Sequence, residues 1–388
     1  MTQAQAQAQQ QRPFAMVAGE ASGDLLASLL LDGMQARWPT LRAVGIGGPQ
    51  MLRRGFETWW PQEKLAVRGY VEVLRHYTEI AGIRRQLKSR LIGDPPGLFI
   101  GVDAPDFNLD LEAGLRAQGI KTMHFVCPSI WAWRPGRIGK LRAAAGHVLC
   151  IFPFEPALLE REGVPATYVG HPIANVIPEV PDRAAARAAL GLDALAPVVA
   201  LLPGSRHSEL GYLAPRFFAA AALMLASRPD LQFIAPVIPS LHGAAAQLLA
   251  QSPMAGRVSL LPGQSHAALA ACDVTLIASG TATLEAALFK RPMVISYYVN
   301  RLSYWVMMRQ QLQPWIGLPN ILCGDFVVPE LLQDAATPEA LAQATLAWLA
   351  APDKVQALQQ RFTALHAELR RDTPTLCADA IEKVLHQG

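Results

Sequence analysis

The strongest constraint on the fold is a strand that runs through a turn of small residues into a helix. Val274 to Ile277 has the composition of a buried strand, Ser279-Gly280-Thr281 interrupts it, and Ala282 to Phe289 has the composition of a helix. This arrangement directs free backbone N–H groups and the positive end of the helix dipole toward the end of the strand, where they favour an anion such as phosphate. Glu285 lies about one turn into the helix, within reach of a ribose diol beside that phosphate; an ordinary solvated helix residue is the alternative interpretation.

The same arrangement occurs near the start of the chain. Phe14 to Ala18 is predicted to be a strand, the turn GEASGD follows it, and a helix is predicted from Leu25 to Arg37. Glu20 then lies at the carboxyl edge of the strand, where open α/β sheets bind ligands, and a functional role is favoured for it. The alternative is that Glu20, together with Ser22 and Asp24, satisfies backbone N–H groups at the start of the helix.

Two carboxylates follow the next predicted strand. Leu98 to Val102 is an apolar run, and Asp103 and Asp106 come directly after it, with Pro105 stiffening the chain between them. Catalytic carboxylates occupy such positions, and a general base with an environment-tuned pKa is one role for them. We favour chemistry for Asp103 and helix capping for Asp106, ahead of a helix predicted over Leu109 to Gln118.

A loop rich in tryptophan and arginine follows the strand predicted at Thr122 to Val126. The segment PSIWAWRPGR (128–137) contains too many turn residues for a regular element. Two tryptophans and two arginines on such a loop suggest contact with a ligand, although tryptophan also buries well in protein cores. They are Trp131, Trp133, Arg134 and Arg137.

The second half of the chain repeats the alternation of strands and helices after a proline-rich segment. Val198 to Leu202 is predicted to be a strand, and a helix is predicted over Leu213 to Ser227. In the turn between them, Gly204, Ser205 and Arg206 offer backbone N–H groups, a hydroxyl and a guanidinium, a set that suits a diphosphate. No GxxxxGK[ST] sequence occurs, which disfavours a P-loop NTPase, and no complete dinucleotide-binding fingerprint occurs either.

Two stretches concentrate apolar and aromatic side chains together with cations. Residues 57–90 are the first, and residues 299–319 are the second. This composition is typical of a protein surface that lies on a membrane, but a helix packed on a sheet gives much the same pattern. Asn320, in the turn predicted at LPN (318–320), places an amide near the same ligand-binding edge.

Composition limits the classes of function. A chain of 388 residues predicts about two domains, and a formal net charge of +3 is too small to argue for nucleic acid. The five cysteines are widely spaced and include no CxxC pair, which predicts neither a zinc ribbon nor a disulfide framework. The polar Gln/Ala segment before Phe14 has no apolar signal region and is expected to be disordered. No apolar run approaches the ~18–20 residues of a membrane span.

Seven motifs, in order, resemble those of the lipid-A-disaccharide synthase family. They are GEASGD (19–24), FIGVDAPDFN (99–108), PSIWAWR (128–134), FPFEP (152–156), LLPGSR (201–206), ASGTATLEAAL (278–288) and LPN (318–320). The resemblance implies an α/β GT-B fold, in which two Rossmann-like doubly wound domains face a central cleft. We accordingly expect a polar tail at 1–13, an acceptor and lipid domain at 14–175, a UDP-sugar domain at 176–350, and C-terminal helices at 351–388 that cross back to the first domain or to a partner subunit.

The resemblance also implies a reaction and its substrates. An inverting transfer joins UDP-2,3-diacylglucosamine to 2,3-diacylglucosamine 1-phosphate and gives the β-1,6-linked disaccharide 1-phosphate and UDP. No cofactor, metal ion or nucleic acid is expected. The enzyme is expected on the cytoplasmic face of the inner membrane, in contact with its surface lipids, and a homodimer is compatible with the family.

Roles for individual residues follow from the same resemblance. Asp103 corresponds to the general base that deprotonates the acceptor hydroxyl, and Glu20 and Asn320 correspond to positions needed for activity. The expected donor site comprises Gly204, Ser205, Arg206, Ser279, Gly280, Thr281 and Glu285. The expected acceptor or lipid contacts are Ser22, Asp106, Trp131, Trp133 and Arg134.

Other functions share parts of this pattern. A UDP-sugar epimerase, or a transferase with a polyprenyl-linked acceptor, would keep the fold and change the reaction. A non-catalytic carrier of a nucleotide sugar or lipid would keep only the binding site. Release of UDP that depends on the monosaccharide 1-phosphate acceptor is expected only of a lipid-A-disaccharide synthase. Epimerisation needs no acceptor, a polyprenyl-linked transferase uses a different acceptor, and a carrier has no turnover.

Overall fold

The computed structural model describes residues 12–65, 70–132 and 136–386, which belong to two compact α/β units. The first unit comprises the chain up to Pro172 together with the segment from Leu369 onward, and the second comprises Ile173–Glu368. Each unit has a parallel sheet with helices between successive strands, as the alternating pattern predicts. The predicted α/β fold class is therefore confirmed.

The sheet of the first unit contains, among the described residues, seven parallel strands in the order β3-β2-β1-β4-β5-β6-β7. The strands are β1 (Phe14–Ala18), β2 (Ala43–Gly47), β3 (Glu57–Pro61), β4 (Leu98–Val102), β5 (Thr122–Phe125), β6 (His147–Cys150) and β7 (Ala166–Tyr168). The helices are α1 (Ala21–Arg37), α2 (Pro49–Leu52), α3 (Tyr70–Gly93), α4 (Pro105–Arg116), α5 (Arg137–Ala144), α6 (Glu155–Arg161) and, from the C-terminal segment, α17 (Thr373–His386).

The sheet of the second unit contains six parallel strands in the order β10-β9-β8-β11-β12-β13. The strands are β8 (Val198–Leu202), β9 (Gln232–Val237), β10 (Val258–Pro262), β11 (Val274–Ala278), β12 (Met293–Tyr297) and β13 (Glu330–Leu332). The helices are α7 (Ile173–Val176), α8 (Arg183–Ala189), α9 (His207–Ser227), α10 (His242–Ala250), α11 (Ser265–Ala271), α12 (Thr281–Leu288), α13 (Arg301–Gln310), α14 (Leu318–Cys323), α15 (Pro338–Leu349) and α16 (Pro352–Leu369).

The central strands of both sheets are buried along their whole length. Every residue of β1, β4, β8 and β11 is buried, which explains why these strands appear in the sequence as continuous apolar runs with no alternation. The C-terminal helix α17 completes the first unit by packing on α1. In this contact Arg37 of α1 pairs with Asp379 and Glu382 of α17. Just before β5, Lys121 Nζ donates to the carbonyls of Val384 and Leu385, near the end of α17, at 3.0 and 2.7 Å.

Several helices begin earlier than predicted. The first helix starts at Ala21, four residues before Leu25; α4 starts at Pro105, before Leu109; and α9 starts at His207, before Leu213. In each case small or polar residues that resemble a turn form the first helical turn. Such residues are well tolerated there, because the first N–H groups of a helix have no intrahelical acceptor.

The first aromatic stretch forms a strand and a helix of the first unit. In the C-terminal part of α3, Ile83, Leu87 and Leu91 are buried, and Trp59 and Trp60 of β3 pack against the same core. For these residues the packed-helix interpretation is therefore the right one. Residues 66–69 and the side chains of residues 70–77 lie outside the described part of the structure.

One described helix, α9 (His207–Ser227), is long and apolar enough to cross a membrane by length and composition, contrary to the expectation that no run approaches that length. Its inner face, which includes Leu213, Phe217 and Phe218, belongs to the hydrophobic core of the second unit. The apolar composition of α9 is thus explained by its packing against the sheet.

Candidate functional site

Four of the predicted site segments lie where the strand order of each sheet reverses. In the first unit the reversal falls between β1 and β4; Glu20 follows β1, and Asp103 follows β4. In the second unit it falls between β8 and β11, which lead into Gly204–Arg206 and Ser279–Thr281 respectively. Such switch points are the usual ligand-binding positions of doubly wound sheets, because the loops there diverge to opposite faces.

Asp103 lies in a strained backbone conformation. Asp103 and Ala104 have φ angles of 51° and 44°, so two consecutive non-glycine residues are left-handed. Each such residue costs about 1–3 kcal/mol, and strain of this kind is concentrated at functional sites. The Asp103 N–H donates to Phe125 O at 2.9 Å. A Cβ on Gly19 would lie 3.1 Å from Ala104 Cβ, so the turn that contains Glu20 approaches the Asp103 loop closely.

A pocket of ≈ 200 Å³ lies beside Asp103 in the first unit. Its lining consists of Asp103, Pro105, Val126, Cys127, Pro128, Ser129 and Arg137. Burial and the nearby carboxylate of Glu155 raise the pKa of the Cys127 thiol well above its usual range, which makes it unsuitable as a nucleophile. The carboxylate, guanidinium and hydroxyl in this lining suit a polar, anionic ligand.

Asp106 does not cap helix α4, contrary to the prediction. The N-cap residue is Ala104, and Asp106 belongs to the first helical turn. Its exposed carboxylate pairs with Arg137, with an Oδ1–Nη2 distance of 2.5 Å. The predicted acceptor contact of Asp106 stays a prediction, and the ion pair adds Arg137 to the same surface.

Glu20 is the N-cap residue of α1, but its side chain makes no capping hydrogen bond, and Ser22 is exposed in the first helical turn. The structural alternative proposed for Glu20 therefore does not hold. Asp24 caps a different helix, because its carboxylate accepts from the N–H groups of Gly48, Gln50 and Met51 at 2.8–3.0 Å.

Trp131 is buried, and its predicted contact with a ligand stays a prediction. Its indole packs edge-on against Phe152 and Phe154, and Nε1 donates to Glu155 Oε1 at 3.0 Å. Glu155 also accepts from Phe152 N at 3.0 Å. The side chain of Trp131 thus anchors the loop that contributes Pro128 and Ser129 to the pocket. Trp133 and Arg134 lie outside the described residues.

The loop of residues 204–206 in the second unit is held by the carboxylate of Glu209. Glu209 Oε2 accepts from the N–H groups of Ser205 and Arg206 at 2.9 and 3.3 Å, and Oε1 pairs with Arg206 Nη1 at 2.7 Å. Gly204 is required, because its φ is +110° and a Cβ there would lie 2.5 Å from Glu209 Oε2. The exposed Arg206 guanidinium lies at the N-terminus of α9, where positive charge and backbone N–H groups favour an anion, and the predicted diphosphate contact stays a prediction.

The second turn of this unit precedes helix α12. Gly280 is its N-cap residue, Thr281 begins the helix, and the Ser279 hydroxyl donates to Ile316 O at 3.4 Å. Glu285 Oε2 lies 3.3 Å from His266 Nε2 and raises the pKa of that imidazole mainly through the hydrogen bond. The ribose contact of Glu285 stays a prediction, and His266 is a partner that the sequence did not indicate.

Asn320 is buried and lies in helix α14, where a turn was predicted. Its Oδ1 accepts from the N–H groups of Val327 and Val328, both at 2.9 Å, and Nδ2 donates to Val328 O at 2.9 Å and Glu330 Oε1 at 2.7 Å. These bonds use the whole hydrogen-bonding capacity of the amide. Asn320 in this structure positions the chain through these four bonds, and its predicted contribution to activity stays a prediction.

Sequence reasoning assigned no role to four buried polar side chains of the first unit. They are Asn108, Glu112, His124 and Glu155. A signal existed for His124, since a histidine inside the apolar run Thr122–Phe125 is unusual unless it has a partner. Among the described residues, no group of three His, Cys, Asp or Glu side chains could hold a metal ion.

Comparisons with known proteins agree with the resemblance that the seven motifs indicate. The family model described as lipid-A-disaccharide synthetase matches residues 14–381. A protein of Albidiferax ferrireducens named lipid-A-disaccharide synthase is 64% identical over 384 residues, which cover 98% of this chain and 99% of the relative.

Solved structures with a similar fold include a UDP-GlcNAc 2-epimerase from Neisseria meningitidis bound to UDP-GlcNAc, with a TM-score of 0.64, 10% identity, and coverage of 97% of this chain and 100% of that chain. Another is Anabaena Alr3699/HepE in complex with UDP and glucose, with a TM-score of 0.59, 12% identity, and coverage of 97% and 100%. At these identities the likeness shows the fold alone.

The buried carboxyl of Glu155 predicts a pH-dependent stability of the first unit. Burial raises the pKa of Glu155 from 4.5 to about 8, although its bonds to Phe152, Trp131 and Ile151 oppose the shift. Between these values the folded chain binds a proton that the unfolded chain releases, so the free energy of unfolding falls as pH rises. Between pH ~5 and ~8.5, wild type should lose on the order of a few kcal/mol relative to Glu155→Gln, measured by urea denaturation.

The matched control is Glu162→Gln, which removes a surface carboxylate that pairs with Arg142 at 3.2 Å. It should follow wild type at every pH. Parallel stability curves for wild type and Glu155→Gln would contradict the prediction.

Proposed function

This chain belongs to the lipid-A-disaccharide synthetase family, and from that premise we propose that Asp103 is the general base of its transfer reaction and that Arg206 binds the donor diphosphate. The protein is a GT-B glycosyltransferase of lipid A disaccharide synthesis, with nucleotide-sugar and lipid substrates. The observation that carries the residue assignment is the strained backbone of Asp103 at the first switch point, beside a pocket that is also lined by the Arg137 guanidinium.

The acceptor side of the proposal uses the pocket of the first unit. We propose 2,3-diacylglucosamine 1-phosphate as the acceptor, with its 6-hydroxyl donating a proton to Asp103 as the new glycosidic bond forms. The Arg137 guanidinium supplies the positive charge that a sugar phosphate requires. Glu20 follows the neighbouring strand β1, and its turn contacts the Asp103 loop through Gly19, which supports a contribution to the same substrate.

The donor side uses the loop after β8. The leaving group of an inverting transfer from UDP-2,3-diacylglucosamine is UDP, whose diphosphate gains charge as the sugar acquires oxocarbenium character. The Arg206 guanidinium, the N–H groups of Ser205 and Arg206, and the start of α9 favour that charge. Because Glu209 now accepts from the same donors, an incoming diphosphate competes with this internal carboxylate.

The epimerase alternative receives no support beyond the shared fold. The epimerase structure is 10% identical to this chain, whereas the lipid-A-disaccharide synthase relative is 64% identical along nearly its whole length. UDP release that requires the acceptor distinguishes a transferase from an epimerase or a carrier. The polyprenyl-linked acceptor is distinguished by the mass of the product.

We also propose that helix α13 contributes to contact with a membrane surface. Trp305 and Met308 are exposed by 52% and 42%, and the Arg309 guanidinium lies 3.6 Å from the centroid of the Trp305 ring. Leu312, just beyond the helix, is 52% exposed, and Arg301 at its start is exposed as well. Exposed apolar side chains bordered by cations are typical of surfaces that bind anionic lipid. A homodimer stays a prediction.

Asp103→Asn tests the general base. The variant should reduce kcat by about 10²–10⁴-fold, because the asparagine amide cannot take the proton from the 6-hydroxyl of the acceptor sugar. UDP affinity measured by calorimetry should stay near the wild-type value, since the donor loop belongs to the other unit. The control is Asp94→Asn, which changes an exposed carboxylate of the same unit and should retain full activity. An Asp103→Asn enzyme with wild-type kcat would exclude this residue as the base.

Arg206→Ala tests the donor loop. Loss of a charge-assisted contact to the diphosphate should weaken UDP binding by about 10–100-fold in calorimetry. Arg228→Ala is the matched control, because Arg228 forms a comparable exposed pair with Asp230 beyond the other end of α9. Equal UDP affinity in the two variants would remove Arg206 from the site.

Trp305→Ser combined with Met308→Ser tests the membrane surface. The double variant should sediment with anionic phospholipid vesicles several-fold less than wild type, because buried apolar area drives interfacial binding. The control is Val180→Ser with Leu195→Ser, which removes apolar side chains that are 87% and 92% exposed elsewhere in the same unit. Equal sedimentation of the two double variants would contradict a role for α13.

A further inference from the structure

A fully buried polar cluster lies in the first unit, close to the Asp103 loop. Asn108, Glu112 and His124 each have 0% exposure, although they are surrounded by the apolar core of the sheet. His124 Nδ1 and Glu112 Oε1 are 2.8 Å apart. Asn108 and Glu112 lie four residues apart on α4 and therefore share one face of the helix. Buried polar groups are costly, so their presence beside a catalytic loop requires an explanation.

The backbone of the sheet leaves room for this cluster at Gly101. Gly101 of β4 pairs in register with His124 of β5, so the two residues face the same side of the sheet. A Cβ on Gly101 would overlap Glu112 Oε1 and crowd Asn108. Glycine at position 101 is therefore required, because any larger side chain would occupy the space through which Glu112 of α4 crosses β4 to reach His124.

Asn108 connects the cluster to the strained loop. Its Nδ2 lies 2.8 Å from Asp103 O, and 3.3 Å from both Val102 O and Val17 O. These carbonyls belong to the ends of β4 and β1, the two strands at the switch point. The amide thus holds the Asp103 carbonyl in the orientation that the left-handed backbone of Asp103 and Ala104 requires.

The ion pair in the cluster is coupled electrostatically to the same loop. Burial lowers the pKa of His124, but the charge and hydrogen bond of Glu112 and the charge of Asp103 raise it, and the net shift is upward. Glu112 faces His124 from α4 and Asp103 faces it from the loop after β4; these are the charged groups that act on the imidazole among the described residues. His124 is therefore favoured as an imidazolium beside two carboxylates.

We propose that Asn108, Glu112 and His124 are positioning residues for Asp103: Asn108 fixes the left-handed loop through its bond to the Asp103 carbonyl, and the Glu112–His124 pair sets the charge behind the loop. This inference rests on the proposed role of Asp103 as the base. The three side chains touch neither substrate, so their contribution acts through the orientation of the Asp103 carboxylate, where a displacement of about 1 Å can cost 10²-fold in rate.

The decisive experiment titrates His124 by NMR in the full-length protein with isotope-labelled histidine, its signal assigned by loss in His124→Gln. The wild-type midpoint should lie above the ordinary value of 6.5. Asp103→Asn should lower the midpoint, and Glu112→Gln should lower it further, because each removes a negative charge that stabilises the imidazolium. An unchanged midpoint in Asp103→Asn would overturn the coupling, whether or not that variant is active.

Kinetics provide the second measurement. Asn108→Asp preserves the size of the side chain but removes both N–H donors, and it should lower kcat at least ~10-fold while the KM for the donor and UDP affinity change less than ~3-fold. In the Asp103→Asn background the same substitution should cause no further loss of residual activity, since its effect acts through Asp103. Asp110→Asn, on the exposed face of the same helix, is the control expected to match wild type.

The outcomes separate this inference from the proposed function. Full activity of Asp103→Asn would show that the assignment of the base is wrong. An inactive Asp103→Asn together with a wild-type kcat for Asn108→Asp would overturn the positioning role alone. A purely structural role would lower the melting temperature of Asn108→Asp but leave kcat per UDP-binding site unchanged. If Asn108→Asp does not fold, the His124 titration in Asp103→Asn decides.

Discussion

The hydrogen bonding between parallel strands is the constraint on which the rest of this structure depends. In each unit two adjacent strands, β1 with β4 and β8 with β11, are paired in parallel and followed by helices. Their carboxyl ends therefore lie side by side, and the loops that leave them carry Glu20 and Asp103 in one unit and the 204–206 and 279–281 turns in the other. The positions of the proposed substrate contacts on these loops follow from this pairing, because the pairing sets where each loop begins.

Internal carboxyl groups of acidic side chains hold the loops of both units in place. Asp24 accepts from N–H groups at 48–51, Glu155 from Phe152 and Trp131, and Glu209 from Ser205 and Arg206. In the second unit Glu330 accepts from Ile316 and Gly317 and from the Asn320 amide. Loops at the end of a sheet expose N–H donors that have no strand partner, and one carboxyl group accepts from two or three of them at once. Rigid loops result, and a rigid loop is what a catalytic side chain requires.

The two units differ in how their loops meet a ligand. The Asp103 loop is strained, backed by a buried ion pair, and lies beside a preformed pocket, so its geometry is fixed before an acceptor arrives. The Arg206 loop is exposed, and its donors are occupied by Glu209, which an anion must displace. These properties agree with the proposed roles, in which Asp103 must be oriented for proton transfer and the Arg206 loop must release UDP after each turnover.

The sequence by itself determined the alternation of strands and helices, the two-unit α/β architecture and, through its motifs, the family. These are local properties, because they depend on short stretches of sequence. A buried parallel strand is a continuous apolar run, and the residue types of a helix differ from those of a strand. Only the tertiary structure decided that Trp131 and Asn320 are buried, that Asp24 caps α2, and that Asn108 and His124 lie close to Asp103. The reason is physical: each of these contacts joins segments that meet only when the register of the sheet is set, and no local pattern of residues encodes which carboxylate will face which loop.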